Sequence, residues 1–262
     1  MAGQHFTDSY RKAFALFLAH TDEKEALLGH LTRSFGYRKT SSILDIGAGG
    51  GELAIPLSRA VARYVAIEQR EDYCGVLRKA HVEVVKGVFP PLPIPGDFDL
   101  VLASHVLPHT MELCEPFVSA AWALVAPGGR LTVITYSDMR SAGKENAWRN
   151  LLEACNLSTD HHGPRQAAIL MEMLPQYAKG CRPASILMET RVKTRTLAEM
   201  VEALAFVYSD GDAERFEQFV ANREVAPFLE ECYLSYAGSR ISKSNGYDFP
   251  FEHLIIDLNK AE

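Results

Sequence analysis

The chain has little cysteine, and what it has is not arranged to staple a fold. Its five cysteines, Cys74, Cys114, Cys155, Cys181 and Cys232, are scattered and none stands in a Cys-x-x-Cys pair. That argues against a disulfide framework or a zinc knuckle and suits reduced, packing cysteines. Long apolar runs are missing too: no stretch approaches the roughly 20 residues needed to span a bilayer. The start, Met1 to Asp8, lacks a basic segment followed by an apolar one, so no leader peptide is expected. Together these point to a cytoplasmic protein without a membrane partner. An excess of positive charge is also absent. A formal charge of −6 makes nucleic acid a poor partner, because a polyanion is repelled by the molecule as a whole. The adjacent pair His161-His162 has no evident third ligand and its neighbouring side chains point apart, so no metal site is expected.

What is present suits a globular α/β protein. With 262 residues, 47% of them hydrophobic, the chain is long enough for one generous domain or a core with an appended lobe. Apolar residues at Tyr10, Phe14, Phe17 and Leu18, then at Leu27, Leu28, Leu31 and Phe35, have helical spacing, with Gly36 as a stop. Short apolar strands then alternate with helical segments. Strands are expected at 42–46, 64–68, 82–86, 99–103 and 130–135, and helices at 52–63, 72–81 and 115–125. This rhythm indicates βαβ units and a Rossmann-like, mostly parallel sheet with helices on both faces. Beyond about residue 140 the rhythm weakens. Helical patterns fall at 146–156, 164–178, 196–208 and 212–236, with strand-like runs near 186–192 and 253–258. The expected organisation is an N-terminal helical cap over 1–40, a ligand-binding core over 41–140, and a C-terminal part over 141–262. That last part carries a helical insertion before a seventh strand that returns to the sheet.

The feature with most chemical content is the turn Asp45-Ile46-Gly47-Ala48-Gly49-Gly50-Gly51 at the end of the first strand. Glycine at 47, 49 and 51 permits positive φ and keeps Cβ atoms away from a ligand crossing the strand ends. The helix that follows directs free N–H groups there, favouring an electron-rich group. Dinucleotide sites want a third glycine at the position of Glu52, whereas here the glycines run Gly-x-Gly-x-Gly. Asp45 adds an acid that can address an ammonium group. These details favour an adenosyl amino acid over a pyrophosphate. Glu68 closes the second strand, where a carboxylate can accept from both ribose hydroxyls; NAD sites place an acid there as well.

The block from about 42 to 136 resembles the class I S-adenosylmethionine-dependent methyltransferases. The resemblance rests on Leu44 to Gly51, on Glu68, on Phe98 to Leu107 and on Ala126-Pro127-Gly128-Gly129-Arg130-Leu131. It implies S-adenosyl-L-methionine as cofactor. Asp45, Gly47, Ala48, Gly49 and Gly51 would then lie beside the methionine moiety and Glu68 would hold the ribose. Gln69 would sit beside the adenine, and Ser104 and His105 would border methionine and substrate. Many relatives carry Gly-Asp after the third strand, but this chain has Gly87-Val88-Phe89. The Val88 side chain cannot accept from the adenine amino group, so adenine is expected to be held by backbone groups at Val88 or by packing against Phe89. The flanks are loosely similar to histamine N-methyltransferase-like small-molecule enzymes, which places Glu23 as well as His105 toward the substrate.

Methyl transfer from a sulfonium needs alignment and exclusion of water more than a dedicated catalytic motif. A base is required only when the acceptor must lose a proton, and His105 and His109, just past the fourth strand, are the candidates. Tyr10 is a candidate to close over the methionine carboxylate, and Glu23, His109 and Tyr136 are candidates for the substrate pocket. The expected activity is methylation of a small-molecule amine or hydroxyl. The competing readings are a protein or RNA methyltransferase and a non-catalytic subunit built on the same fold.

Overall fold

The computed structural model describes residues 8–36, 40–90, 92–107, 111–137, 147–158, 173, 176, 183–209, 212–236 and 246–261. His109 and the helical segment expected over most of 164–178 lie outside the described residues. So does the side chain of Tyr10, whose backbone is in the first helix.

The elements, in chain order, are α1 (Asp8–His20), α2 (Glu23–Phe35), β1 (Ser42–Ile46), α3 (Ala54–Ser58), β2 (Arg63–Glu68), α4 (Glu71–Lys79), β3 (Glu83–Lys86), β4 (Phe98–Ser104), α5 (Met111–Ala123) and β5 (Val125–Ser137). They are followed by α6 (Ala147–Ala154), β6 (Ala184–Thr194), α7 (Leu197–Ser209), α8 (Ala213–Ala221), α9 (Val225–Tyr236) and β7 (Tyr247–Asn259). Seven strands make one mostly parallel sheet in the order β3-β2-β1-β4-β5-β7-β6. The order reverses between β1 and β4. In an open parallel sheet such a reversal leaves a crevice beyond the carboxyl ends of the strands, where ligands bind.

The chain divides into two compact units. The first comprises Met1–Glu23, Asp138–Pro164 and Glu189–Glu252. The second comprises Lys24–Ser137, Arg165–Met188 and His253–Glu262, and holds β1 to β5 with the glycine turn. Its two apolar layers follow strand alternation. Leu44, Ile46, Val65, Ile67, Val101 and Ala103 face one way with Phe117, Val118 and Ala121 of α5. Ile43, Tyr64, Ala66, Leu100 and Leu102 face the other way with Leu27, Leu31, Leu57 and Leu77. A two-residue side-chain period and a helix stripe on each face are what bury both sides of such a sheet.

The structure departs from the sequence reading in three places. The helix expected over 52–63 is only five residues long, Ala54–Ser58, and β2 begins at Arg63. The expected turn at Pro127-Gly128-Gly129 sits inside β5. The β4–β5 register jumps from Phe98↔Val125 to Leu100↔Arg130, so the intervening residues loop out as a bulge that lets the strand continue. The helical pattern over 212–236 is two helices, separated where the Asn222 side chain turns the backbone by accepting from Glu224 N–H at 2.9 Å.

A buried polar network ties β7 to β5. The Arg130 guanidinium donates to Asp257 Oδ2 at 3.2 Å and the Thr132 hydroxyl donates to Asp257 Oδ1 at 2.6 Å. Arg130 also donates to the Ser34 hydroxyl at 3.4 Å and lies over the Phe35 ring at 5.3 Å. Arg130 and Asp257 are 9% and 8% exposed, so neither has water as its main alternative partner.

The first unit is built on aromatic packing. Phe14 and Phe17 of α1 meet Phe206 of α7 at 4.8 and 5.2 Å. Trp148 of α6 meets Phe251 at 5.2 Å and Phe219 of α8 at 6.3 Å. No helix among the described residues is long and apolar enough to cross a membrane.

Candidate active site

The glycine turn is held by the strand it crosses. Gly47 N–H and Ala48 N–H both donate to Ile67 O of β2, at 2.8 and 3.1 Å. Gly47 and Gly49 have φ of +76° and +57°, the left-handed region in which a Cβ is unfavourable. Their surroundings differ. A Cβ on Gly47 would collide with the Val106 side chain, so the loop after β4 is seated directly on the turn. A Cβ on Gly49 would meet nothing within 4 Å, so this face of the turn is open.

Glu68, 6% exposed, meets the turn at the Gly49 N–H. Its Oε2 accepts from Gly49 N–H at 2.9 Å and its Oε1 from Arg70 N–H at 2.8 Å. The carboxylate therefore clamps the turn to the start of α4, a structural duty that the residue's position in the sequence did not reveal. Each carboxylate oxygen has a second lone pair, so the same group retains capacity for hydroxyl donors. Gln69 follows, exposed. Val88 is half-exposed, while Phe89 packs edge-on against Phe117 at 5.3 Å.

Asp45 is not a strand-end acid in solvent. It is 3% exposed, on the β1 face that carries Ile43, and its Oδ2 accepts from the Tyr64 hydroxyl at 2.7 Å. Burial raises its pKa from 3.8 to about 6, against the lowering effect of the Tyr64 hydrogen bond.

At the carboxyl ends of β4 and β5 three rings converge. His105 stacks on Tyr136 at 4.3 Å with a tilt of 32°, and His253 of β7 meets His105 at 5.3 Å and Tyr136 at 5.1 Å. His105 has φ +55°, unusual for a non-glycine residue, and its N–H donates to Ile134 O at 2.9 Å. That bond holds the strained backbone and aims the ring at Tyr136. His253 is fully buried. The Ser104 hydroxyl oxygen is buried and has no hydrogen-bond partner among the described residues.

The structure thus brings Gly47, Gly49, Glu68 and the Val106 loop together, and beside β4 it groups His105 with Tyr136. His253 was missed by sequence reasoning. It lies in an apolar strand far along the chain, and the only local signal was an imidazole at an inward position of β7. Glu23 opens α2 and is 1% exposed, so it is not a solvated helix-start acid; its own N–H donates to Thr21 Oγ1 at 3.1 Å.

Comparison with known proteins agrees with this geometry. Residues 43–129 match the model of a methyltransferase domain. Over 110 residues the chain is 36% identical to a ubiquinone biosynthesis O-methyltransferase of Methylobacterium sp. (strain 4-46), covering 38% of this chain and 43% of that protein. The chain thus spans less than half the length of this curated relative. Among solved structures, a protein of Bacillus halodurans C-125 superposes with a TM-score of 0.59 at 18% identity, covering 90% of this chain and 99% of the other. The magnesium protoporphyrin IX methyltransferase of Synechocystis PCC 6803, solved with bound S-adenosylhomocysteine, gives 0.54 at 15% identity, covering 92% and 83%. Residues 43–129 are therefore a methyltransferase domain, set in the fold of the class I S-adenosylmethionine-dependent methyltransferases.

Proposed function

We propose that the chain is an S-adenosylmethionine-dependent methyltransferase whose acceptor is a hydroxyl or amine of a small molecule. One observation carries the reading: the buried carboxylate of Glu68 holds the Gly49 N–H of a glycine turn whose Cβ side is open, at the sheet's topological switch point. The site fits the cofactor. Glu68 would hold the ribose hydroxyls, the Gly47–Gly49 backbone would run beside the methionine part, and Phe89 would flank the adenine. When bound, S-adenosylmethionine supplies a methyl carbon activated by its sulfonium, ready for in-line attack.

The chain's own groups then have limited tasks. The seating of Val106 on Gly47 fixes the loop that carries His105. The His105 imidazole is held by its backbone and by the Tyr136 ring, and it takes the proton that a hydroxyl acceptor loses on attack. The His105–Tyr136 stack offers a flat, partly apolar wall that suits a planar ring. A hydroxyl acceptor is also in keeping with the O-methyltransferase name of the relative above.

Calorimetric titration with S-adenosylmethionine, S-adenosylhomocysteine and NAD tests the reading. Binding of both sulfur ligands and not of NAD is expected; no binding of either sulfur ligand would overturn it. A screen of catechols, phenols and primary amines with methyl-labelled cofactor then identifies the acceptor.

A further inference from the structure

The opposite edge of the sheet carries a second concavity. At the amino ends of β2 and β3 a cleft of about 650 Å³ is lined by Arg59, Arg63, Tyr64, Lys79, His81 and Glu83, among others. Its volume is in the range of small-ligand sites and far exceeds a lone ion. Three permanent cations and an exposed imidazole face one carboxylate there, on a chain whose net charge is −6.

Two of these groups are fixed in advance. The Arg63 guanidinium lies 4.6 Å from the Phe98 ring centre and donates to Pro95 O at 3.0 Å, so its orientation is set before any ligand arrives. His81 is the left-handed residue that ends α4, with φ +62°. His81 N–H bonds Arg78 O at 3.0 Å and Val82 N–H bonds Leu77 O at 3.0 Å, the paired closure of a Schellman motif. Glycine is the unstrained residue at that position, so a histidine there keeps its imidazole at the cleft rim against a conformational cost.

Arg59 and Lys79 close the C-terminal ends of α3 and α4, and basic residues at such ends also complement the helix dipole. That role does not consume them. Among the described residues Arg78 is paired with Glu71 at 3.1 Å, while no carboxylate partner is found for Arg59 or Lys79. A five-residue helix such as α3 also has only a weak dipole to neutralise. Tyr64 and Val82, 6% and 5% exposed, give the cleft an apolar floor.

We propose that this cleft is a second ligand site, for a small phosphate ester whose anionic head meets Arg59, Arg63 and Lys79 and whose body rests on Tyr64 and Val82. Guanidinium groups match phosphate oxygens bidentately, which a carboxylate-selective site would not need in such number. A concave site on a net-negative molecule suits a small ester better than a phosphate backbone or a lipid surface.

The test is titration of the full chain with glycerol 3-phosphate, followed by amide chemical shifts and by calorimetry, in wild type and in an Arg59→Gln, Lys79→Gln double variant. Saturable binding at millimolar or lower concentration is expected, with shifts at Ala62, Ala80 and His81, and at least about tenfold weaker binding in the double variant. S-adenosylmethionine affinity, measured alongside, is expected to be equal in both proteins, because the two sites lie at opposite strand ends. Absence of saturable binding, or equal binding by the variant, would overturn the proposal. So would association with phosphatidylglycerol vesicles while glycerol 3-phosphate fails to bind.

Discussion

Asp45→Asn should make the stability of the protein less sensitive to a rise in pH from acid to neutral, although it removes a charged residue from the most characteristic motif of the chain. Asp45 is 3% exposed, its partner is the Tyr64 hydroxyl at 2.7 Å, and burial raises its pKa from 3.8 to about 6. A carboxyl whose pKa is higher in the folded than in the unfolded chain binds protons more tightly when folded. Its contribution to stability is therefore complete below the unfolded pKa and is lost as pH rises through the folded one. The window here is from about pH 4 to just above pH 6. One pKa unit corresponds to 1.36 kcal/mol, so a rise of about two units means about 3 kcal/mol of stability absent at neutral pH. Asparagine keeps an oxygen that accepts from Tyr64 and does not titrate. Urea unfolding of both proteins at pH 4 and pH 8 should show the variant gaining about 2–3 kcal/mol relative to wild type across that interval. A stability difference that is flat with pH, or that moves in wild type's favour, would refute the assignment of a buried, destabilised carboxylate.

Other positions yield sharper tests of the site and the scaffold. Glu68→Ala frees two backbone donors, so it should lower stability by about 1–3 kcal/mol and also weaken S-adenosylmethionine binding by about 1–3 kcal/mol, read by denaturation and calorimetry. A loss in only one of the two would separate the clamp from the ribose contact. Gly49→Val places a branched side chain at φ +57° in open space, so the fold should lose about 1–2 kcal/mol while cofactor binding disappears; retained binding would mean that the open face is not where the ligand lies. Asp257→Ala leaves the buried Arg130 guanidinium without its carboxylate, and breaking such a pair costs about 3–5 kcal/mol, measurable as a lower urea midpoint.

Much of the fold was legible because it is encoded locally. The alternation of short apolar strands with helical stripes reports burial on both faces of a parallel sheet, and β1 to β5 fall where that pattern puts them. Glycine at 47 and 49 was readable as a conformational demand, and both adopt positive φ. Glu68 was readable as an acid at a strand end, because the end of β2 lies beside the turn whatever else the chain does. Boundaries were less legible. The bulge that keeps Pro127 to Gly129 inside β5 depends on the partner strand, since a turn signal alone stops a strand only if nothing pairs with its far side.

The pairings between distant residues were not encoded locally. The ring of His253 reaches His105 only because β7 returns beside β5, and no periodicity within either segment encodes that meeting. Asp45 reads in the sequence as an acid at a strand end, and only its β1 register shows that it shares a face with Tyr64 and accepts from that hydroxyl. The cleft at the amino edge joins the ends of α3 and α4, whose basic residues read individually as ordinary helix-end charges. Local patterning dictated the kind of sheet and the turn that crosses its carboxyl edge. Packing determined which side chains face one another there, because burial and hydrogen bonding are settled by neighbours that only the closed sheet supplies.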